Sequence, residues 1–208
     1  MKDNYYWSDD LSTEFYIEAA RAGFITTSIY HDNQFILLPE IQFDYAVLHF
    51  DKIIIPKKVN KLINENNYIF DINRDFQEVL NRISSYHPDS WVTQEYIELL
   101  NKLNINKNLK KYFNLFSTEI YEKNTKKLIS GEIGYQIGST YTSLTGFTTR
   151  SKKYNNWGKL QLVLLNNYLK VKGFKLWNLG HPQLQYKIDL GAKIYNRSDF
   201  LKLWEKNI

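Results

Sequence analysis

The sequence predicts an α+β fold: a mixed sheet flanked by helices, with a small N-terminal α+β subdomain over 1–55 ahead of a larger domain over 56–208. Three observations carry that expectation. Residues 128–147, LISGEIGYQIGSTYTSLTGF, read in alternate positions as two apolar strands, with a turn at Ser139-Thr140. A helical stretch over 157–172 follows, with Leu160, Val163, Leu164, Tyr168 and Leu169 on its buried side and Gly173 as its stop. Strand-like runs precede and follow this group, at 112–121 and 174–179. A helix between two strands of one sheet is a crossover, so an antiparallel group here continues into a parallel pair.

The remaining elements follow in order. Ser12 caps a helix to about Ala22, with Glu14 in its first turn and Gly23 as its stop. Phe35 to Leu38 reads as a buried strand ended by Pro39, and 45–50 as another. Pro56 precedes a basic amphipathic helix over 57–66, with Val59, Leu62 and Ile63 inward. A short strand spans 68–72. Asn73 is expected to cap a helix over 74–84, whose Phe76, Val79, Leu80 and Ile83 keep the helical period, and Thr93 to cap the next. A Lys-rich connection, 104–111, reads as a solvated stretch. After the central group, 184–190 reads as helical, and Ser198 is expected to cap a last helix over 199–205.

Composition narrows the chemistry. An apolar share of 43% suffices for a sizeable core. The net charge of +5 fits a nucleic-acid partner without requiring one. With no cysteine, disulfide, zinc-thiolate and cysteine-nucleophile chemistry are excluded. No run approaches the roughly 20 apolar residues of a membrane span, so a soluble, cytoplasmic protein is the expectation, with a monomer as the default. Glycines 131, 134 and 138 stand where a strand prefers bulky side chains. They either serve turns, or they mark strands lining a cleft where something lies against bare backbone.

The β-turn-β-helix-β order over 112–179 is that of the GNAT acyltransferase core, in which two strands splay apart to admit an acyl donor. Several stretches together resemble the leucyl/phenylalanyl-tRNA–protein transferase family. Asp10-Leu11-Ser12 with Ala20 to Phe24 resembles its GDLS…YRxGIFPW opening, and Leu38-Pro39 with Tyr45 to Leu48 its WWSPxPRxVL region. Asn73 to Val79 is similar to its D-x-A-F-x-x-V helix, and Ser90 to Thr93 with Tyr96 to TWIT…Y. Gly131, Gly134, Gly138 and Phe147 fall on matching positions of GGxYGxxLGxxFxGESMF. Leu190 to Ala192, with Arg197 and Phe200-Leu201, resembles SLGA…PRxxFL. The resemblance implies a GNAT-like domain, an aminoacyl-tRNA donor, an amine acceptor such as a protein N-terminus bearing Arg or Lys, and no cofactor. An acyl-CoA-dependent enzyme and a non-catalytic binder of tRNA or peptide remain open. The stretch 153–158, KYNNWG, lacks the Q/R-x-x-G-x-G/A loop that binds the pyrophosphate of CoA.

The departures fall on functional positions. The family's D-x-Q motif, associated with catalysis, is replaced by Asn178-Leu179-Gly180. Its GES glutamate falls on Leu144. Asn178 keeps a polar group but is no carboxylate, so Glu132 and His181 are the alternative proton acceptors, or else a strand-surface and a turn residue. Candidate substrate-binding residues are Trp91, Gly131, Gly134, Tyr141, Leu144, Phe147 and Trp177, the aromatic ones being equally at home in a core. Candidate tRNA contacts are Lys57, Lys58 and Lys61, and Arg150, Lys152 and Lys153.

Overall fold

The computed structural model describes residues 4–87, 90–106 and 113–208. The expected strand start at Tyr112, residues 107–111 of the Lys-rich connection, and Pro88-Asp89 lie outside these. Ser12 caps α1 (Thr13–Arg21) as expected, its hydroxyl accepting from the Phe15 N–H at 3.1 Å. A hairpin then forms from β1 (Ile25–His31) and β2 (Gln34–Glu40). Its two-residue turn, Asp32-Asn33, has positive φ at both positions, the conformation whose twist matches a hairpin. β3 (Asp44–Leu48) comes next, and α2 (Lys57–Glu65) ends on a left-handed Asn66.

β4 (Tyr68–Ile72) leads to α3 (Phe76–Tyr86) and α4 (Gln94–Ile105). The expected cap at Asn73 is corrected here. Asn73 is left-handed and its side-chain oxygen accepts from the Ser117 N–H at 2.7 Å, so the helix begins later, after Asp75. The central group is β5 (Phe113–Glu122), β6 (Leu128–Ile137) and β7 (Thr140–Thr148), with its tight turn at Gly138-Ser139 rather than Ser139-Thr140. The crossover helix α5 (Trp157–Val171) follows, then β8 (Leu176–Asn178), α6 (Gln185–Asp189), β9 (Lys193–Asn196) and α7 (Arg197–Glu205). Asn196, not Ser198, caps α7, because its side chain accepts from the Asp199 N–H.

Seven strands form one mixed sheet in the order β4-β5-β6-β7-β8-β3-β9, antiparallel except for β7 against β8. This is the predicted α+β, GNAT-like arrangement. The segment 1–55, expected as a subdomain, contributes β3 to this sheet, while the β1–β2 hairpin forms a separate two-stranded sheet. One face of the main sheet packs against α1, α3, α4 and α7, through residues such as Tyr16, Val79, Leu100 and Trp204. The other packs against α2 and α5, through Val59, Leu160 and Val163. Arrangement in three layers leaves both faces of the central strands buried. Among the described residues, no helix is long and apolar enough to cross a membrane.

Candidate functional site

A cleft opens where β7 and β8 part. The two strands pair only over Thr140–Thr142 and Leu176–Asn178. Beyond Asn178 the chain follows β3 instead, through the bonds Leu179 N–H to Ala46 O (2.9 Å) and Ala46 N–H to Gly180 O (2.8 Å). On the other side, β7 carries a bulge: Ile133 pairs with Thr145 and Gly134 with Ser143, so Leu144 is the extra residue. Bulges bend a strand and re-aim its side chains, and they are common beside active sites.

Two cavities meet here. The first, about 510 Å³, is lined by Tyr86, Gly131, Phe147, Arg150, Lys159 and Gln161 among others. The second, about 620 Å³, is lined by Trp91, Leu144, Gly180, His181 and Lys187, and by Ile25 and Thr27 of the hairpin. Glu132 lines both. Its carboxylate oxygen Oε1 accepts from the Tyr141 hydroxyl at 3.1 Å and the Ser143 hydroxyl at 2.8 Å. Ser143 is itself held by the Trp177 indole N–H at 2.9 Å. Glu132 is 6% exposed, and burial pushes its pKa up to about 7, against the pull of Ser143, Tyr141 and Lys187. Such a group passes between acid and base near neutral pH, as proton transfer requires.

Gly134 makes the network possible. A Cβ there would stand 2.2 Å from the Tyr141 hydroxyl, so the ring crosses bare backbone on its way to Glu132. At Gly131 a Cβ would stand 2.7 Å from the Phe147 ring. Both strand glycines therefore make room for the protein's own aromatic side chains.

The leucyl/phenylalanyl-tRNA protein transferase profile matches residues 47–205. The chain belongs to that family. It is 26% identical to the leucyl/phenylalanyl-tRNA–protein transferase of Flavobacterium psychrophilum, over 77% of this chain and 72% of that one. To the enzyme of the same name from Flavobacterium johnsoniae it is 24% identical, covering 76% and 70%. Among solved structures, the C-terminal domain of a protein described as a lysylphosphatidylglycerol synthetase, from Agrobacterium fabrum, superposes with a TM-score of 0.50 at 9% identity. That match covers 86% of this chain but only 61% of the solved one, less than two thirds, and it speaks for the fold alone.

Apart from the basic residues, the candidate residues separate into two groups. Glu132, His181, Trp91, Gly131, Leu144 and Phe147 come together on the cavity walls, Leu144 because the bulge turns it into the second cavity. Burial and the Lys187 ammonium push the His181 pKa down, and its Nδ1 is buried without a hydrogen-bond partner. Tyr141 and Trp177 stand behind the wall and act through the hydrogen bonds above, and Gly134 beside them leaves room for the Tyr141 ring. Asn178 also stands behind it: 1% exposed, it accepts from the Gly180 N–H at 2.8 Å and donates to Thr142 at 3.4 Å. It thereby fixes the left-handed Gly180, whose φ is +72°.

The basic residues divide differently. Arg150 lines the first cavity, its guanidinium 4.5 Å from the Tyr86 ring centre. Lys153 pairs with Glu122 at 2.5 Å, and Lys152 is exposed but lines neither cavity. Lys57, Lys58 and Lys61 lie exposed on α2, also outside both cavities. Sequence reasoning missed Lys187. It is 4% exposed, donates at 2.6 Å to the carbonyls of Leu179 and His181, and is lowered by burial to about 8. Its local pattern carries little signal: the flanking Leu184 is exposed and Leu190 buried, and both lie outside the helix Gln185–Asp189.

Proposed function

We propose that the protein is an aminoacyl-tRNA-dependent aminoacyltransferase, moving an apolar aminoacyl group of the leucyl or phenylalanyl kind to an amine acceptor such as a protein N-terminus. One observation carries this reading: a single carboxyl group, Glu132, forms part of the wall of both cavities. Family membership supplies the donor class, and the two cavities give each substrate a side. The first takes the aminoacylated 3′ end of the tRNA, with Tyr86 and Phe147 as ring surfaces and Arg150 and Lys159 as cations for phosphate. The second takes the acceptor amine, with Trp91 and Leu144 beside it and the hairpin of the N-terminal segment as its far wall. In this reading residues 56–208 hold the transfer chemistry and 1–55 shape the acceptor side.

The chemistry asks for little, because an aminoacyl ester is already activated. The neutral amine attacks the ester carbonyl carbon and a C–N bond forms. One N–H proton passes to the Glu132 carboxylate. The bond from carbonyl carbon to ribose oxygen then breaks, and the proton returns to the departing oxygen. His181 is the second acceptor in reach of the same cavity. The family's aspartate is absent at 178, and in this reading the carboxylate of Glu132 on β6, two strands away in the sheet, takes its place.

Labelled leucyl- or phenylalanyl-tRNA, supplied with a peptide beginning with Arg or Lys, is expected to yield labelled peptide. That yield should collapse in E132Q. Consumption of acetyl-CoA with no transfer from tRNA would replace this reading with the acyl-CoA one. Salt-sensitive tRNA binding with no turnover would favour a binder.

A further inference from the structure

Lys187 is the buried charge that the proposed chemistry leaves without a task. An ammonium has three N–H donors. Two of them go to the carbonyls of Leu179 and His181, which flank Gly180, the left-handed residue by which the chain leaves β8. One side chain thus ties down the lip of the second cavity opposite β7. Glu132 lies in the wall of that cavity, and Lys187 is the one Lys or Arg among its described lining residues. The place it braces is where the family's D-x-Q has become Asn178-Leu179-Gly180.

We propose that Lys187 is a positioning residue that fixes the 179–181 lip and places an ammonium in the wall of the cavity that Glu132 lines. This rests on the reading of Glu132 as the proton acceptor. Glu132 accepts from Tyr141 and Ser143 of β7, and Tyr186 and Lys187 of α6 line the same cavity. Behind them, Glu119 of β5 acts on Tyr141, and His181 is coupled to Lys187. Glu40 and His87 complete the charged or titratable lining of the cavity. Lys187 is the cation that pulls toward the ionised form of Glu132, and Glu132 does the same for Lys187. Burial opposes both and dominates both. Without the lysine the carboxyl would keep its proton through the neutral range and could not take one from an amine.

The test is a titration of the whole protein that needs no substrate. Carbon-13 NMR of labelled glutamate carboxyls, with E132Q identifying the signal, gives the Glu132 midpoint in wild type, K187M and K187R. The midpoint should rise by about one unit or more in K187M and stay close to wild type in K187R. Coupling is reciprocal, so the Lys187 midpoint, read from labelled lysine Cε, should fall by the same amount in E132Q. That arm decides the matter if K187M does not fold. An unmoved Glu132 midpoint in K187M, or an unmoved Lys187 midpoint in E132Q, overturns the proposal. In the tRNA-to-peptide assay, K187M should lose about tenfold in kcat per unit of that shift on the acid side, with KM for the peptide unchanged. A wild-type protein that transfers nothing would refute the function and leave the titration standing.

Discussion

Replacing Glu132 by Gln should make the protein more stable and less active, and the stability gain should depend on pH. The amide keeps an oxygen to accept from Tyr141 and Ser143 but carries no charge into the buried site. In the wild type the carboxyl titrates near its ordinary 4.5 when unfolded and at about 7 when folded. A raised folded pKa means that the stability it confers is complete below pH 4.5 and is lost as the pH rises through 7. The 2.5-unit difference corresponds to about 3 kcal/mol at most, at roughly 1.4 kcal/mol per unit. For a chain of this size each kcal/mol moves the melting temperature by about 2–4 °C, so E132Q should melt up to about 6–12 °C higher at pH 8. At pH 4.5 the two proteins should melt together. Thermal unfolding from pH 4.5 to 8, alongside the tRNA-to-peptide assay, measures both sides. A gain that is the same at both pH values, or a loss at pH 8, would refute the idea that Glu132 is a carboxylate held in a desolvated cleft.

Three further outcomes are expected. Gly134→Ala should drive the Tyr141 ring off Glu132, costing about 1–3 kcal/mol of stability and moving the Glu132 midpoint upward in the same NMR titration. Trp204→Ala should cost about 3–5 kcal/mol in denaturant unfolding, because Trp204 is 1% exposed, stacks on Phe200 and bonds the Arg21 carbonyl at 2.8 Å. Arg150→Ala should weaken tRNA binding and lower its salt slope by about one counterion, while Lys61→Ala, outside both cavities, should leave transfer near wild type.

Much of the fold was legible where one pattern met one environment. The α2 helix carries Val59, Leu62 and Ile63 on a single stripe against basic residues, and only a helix on the outer layer satisfies both. Thr93 reads as a cap because it directly precedes a helical apolar period, and it accepts from the Tyr96 N–H as expected. Asn73 has the same chemistry but lies beside β5, where Ser117 takes its side chain; a contact 44 residues away cannot be read locally. β1 and β9 escaped for a related reason. β1 mixes buried threonine and serine with exposed Ile29 and Tyr30, and β9 is four residues long, so neither shows a clean period.

The candidate site was legible as an inconsistency, which a sequence flags without resolving. Glu132 breaks an apolar strand, and the glycines around it break the strand's preference for bulk; together they single out the stretch before any geometry is known. What the sequence could not say is which way each break is resolved. Gly134 is bare so that Tyr141 can reach Glu132, an interaction set by the β6–β7 register and the bulge at Leu144. A register without that bulge would keep Leu144 paired in the strand, rather than letting it turn into the cavity wall beside Ser143. Lys187 left a fainter trace, because its partners are backbone carbonyls, which carry no residue identity. A charge whose partners are side chains leaves two marks in a sequence, and one held by the main chain leaves only its own.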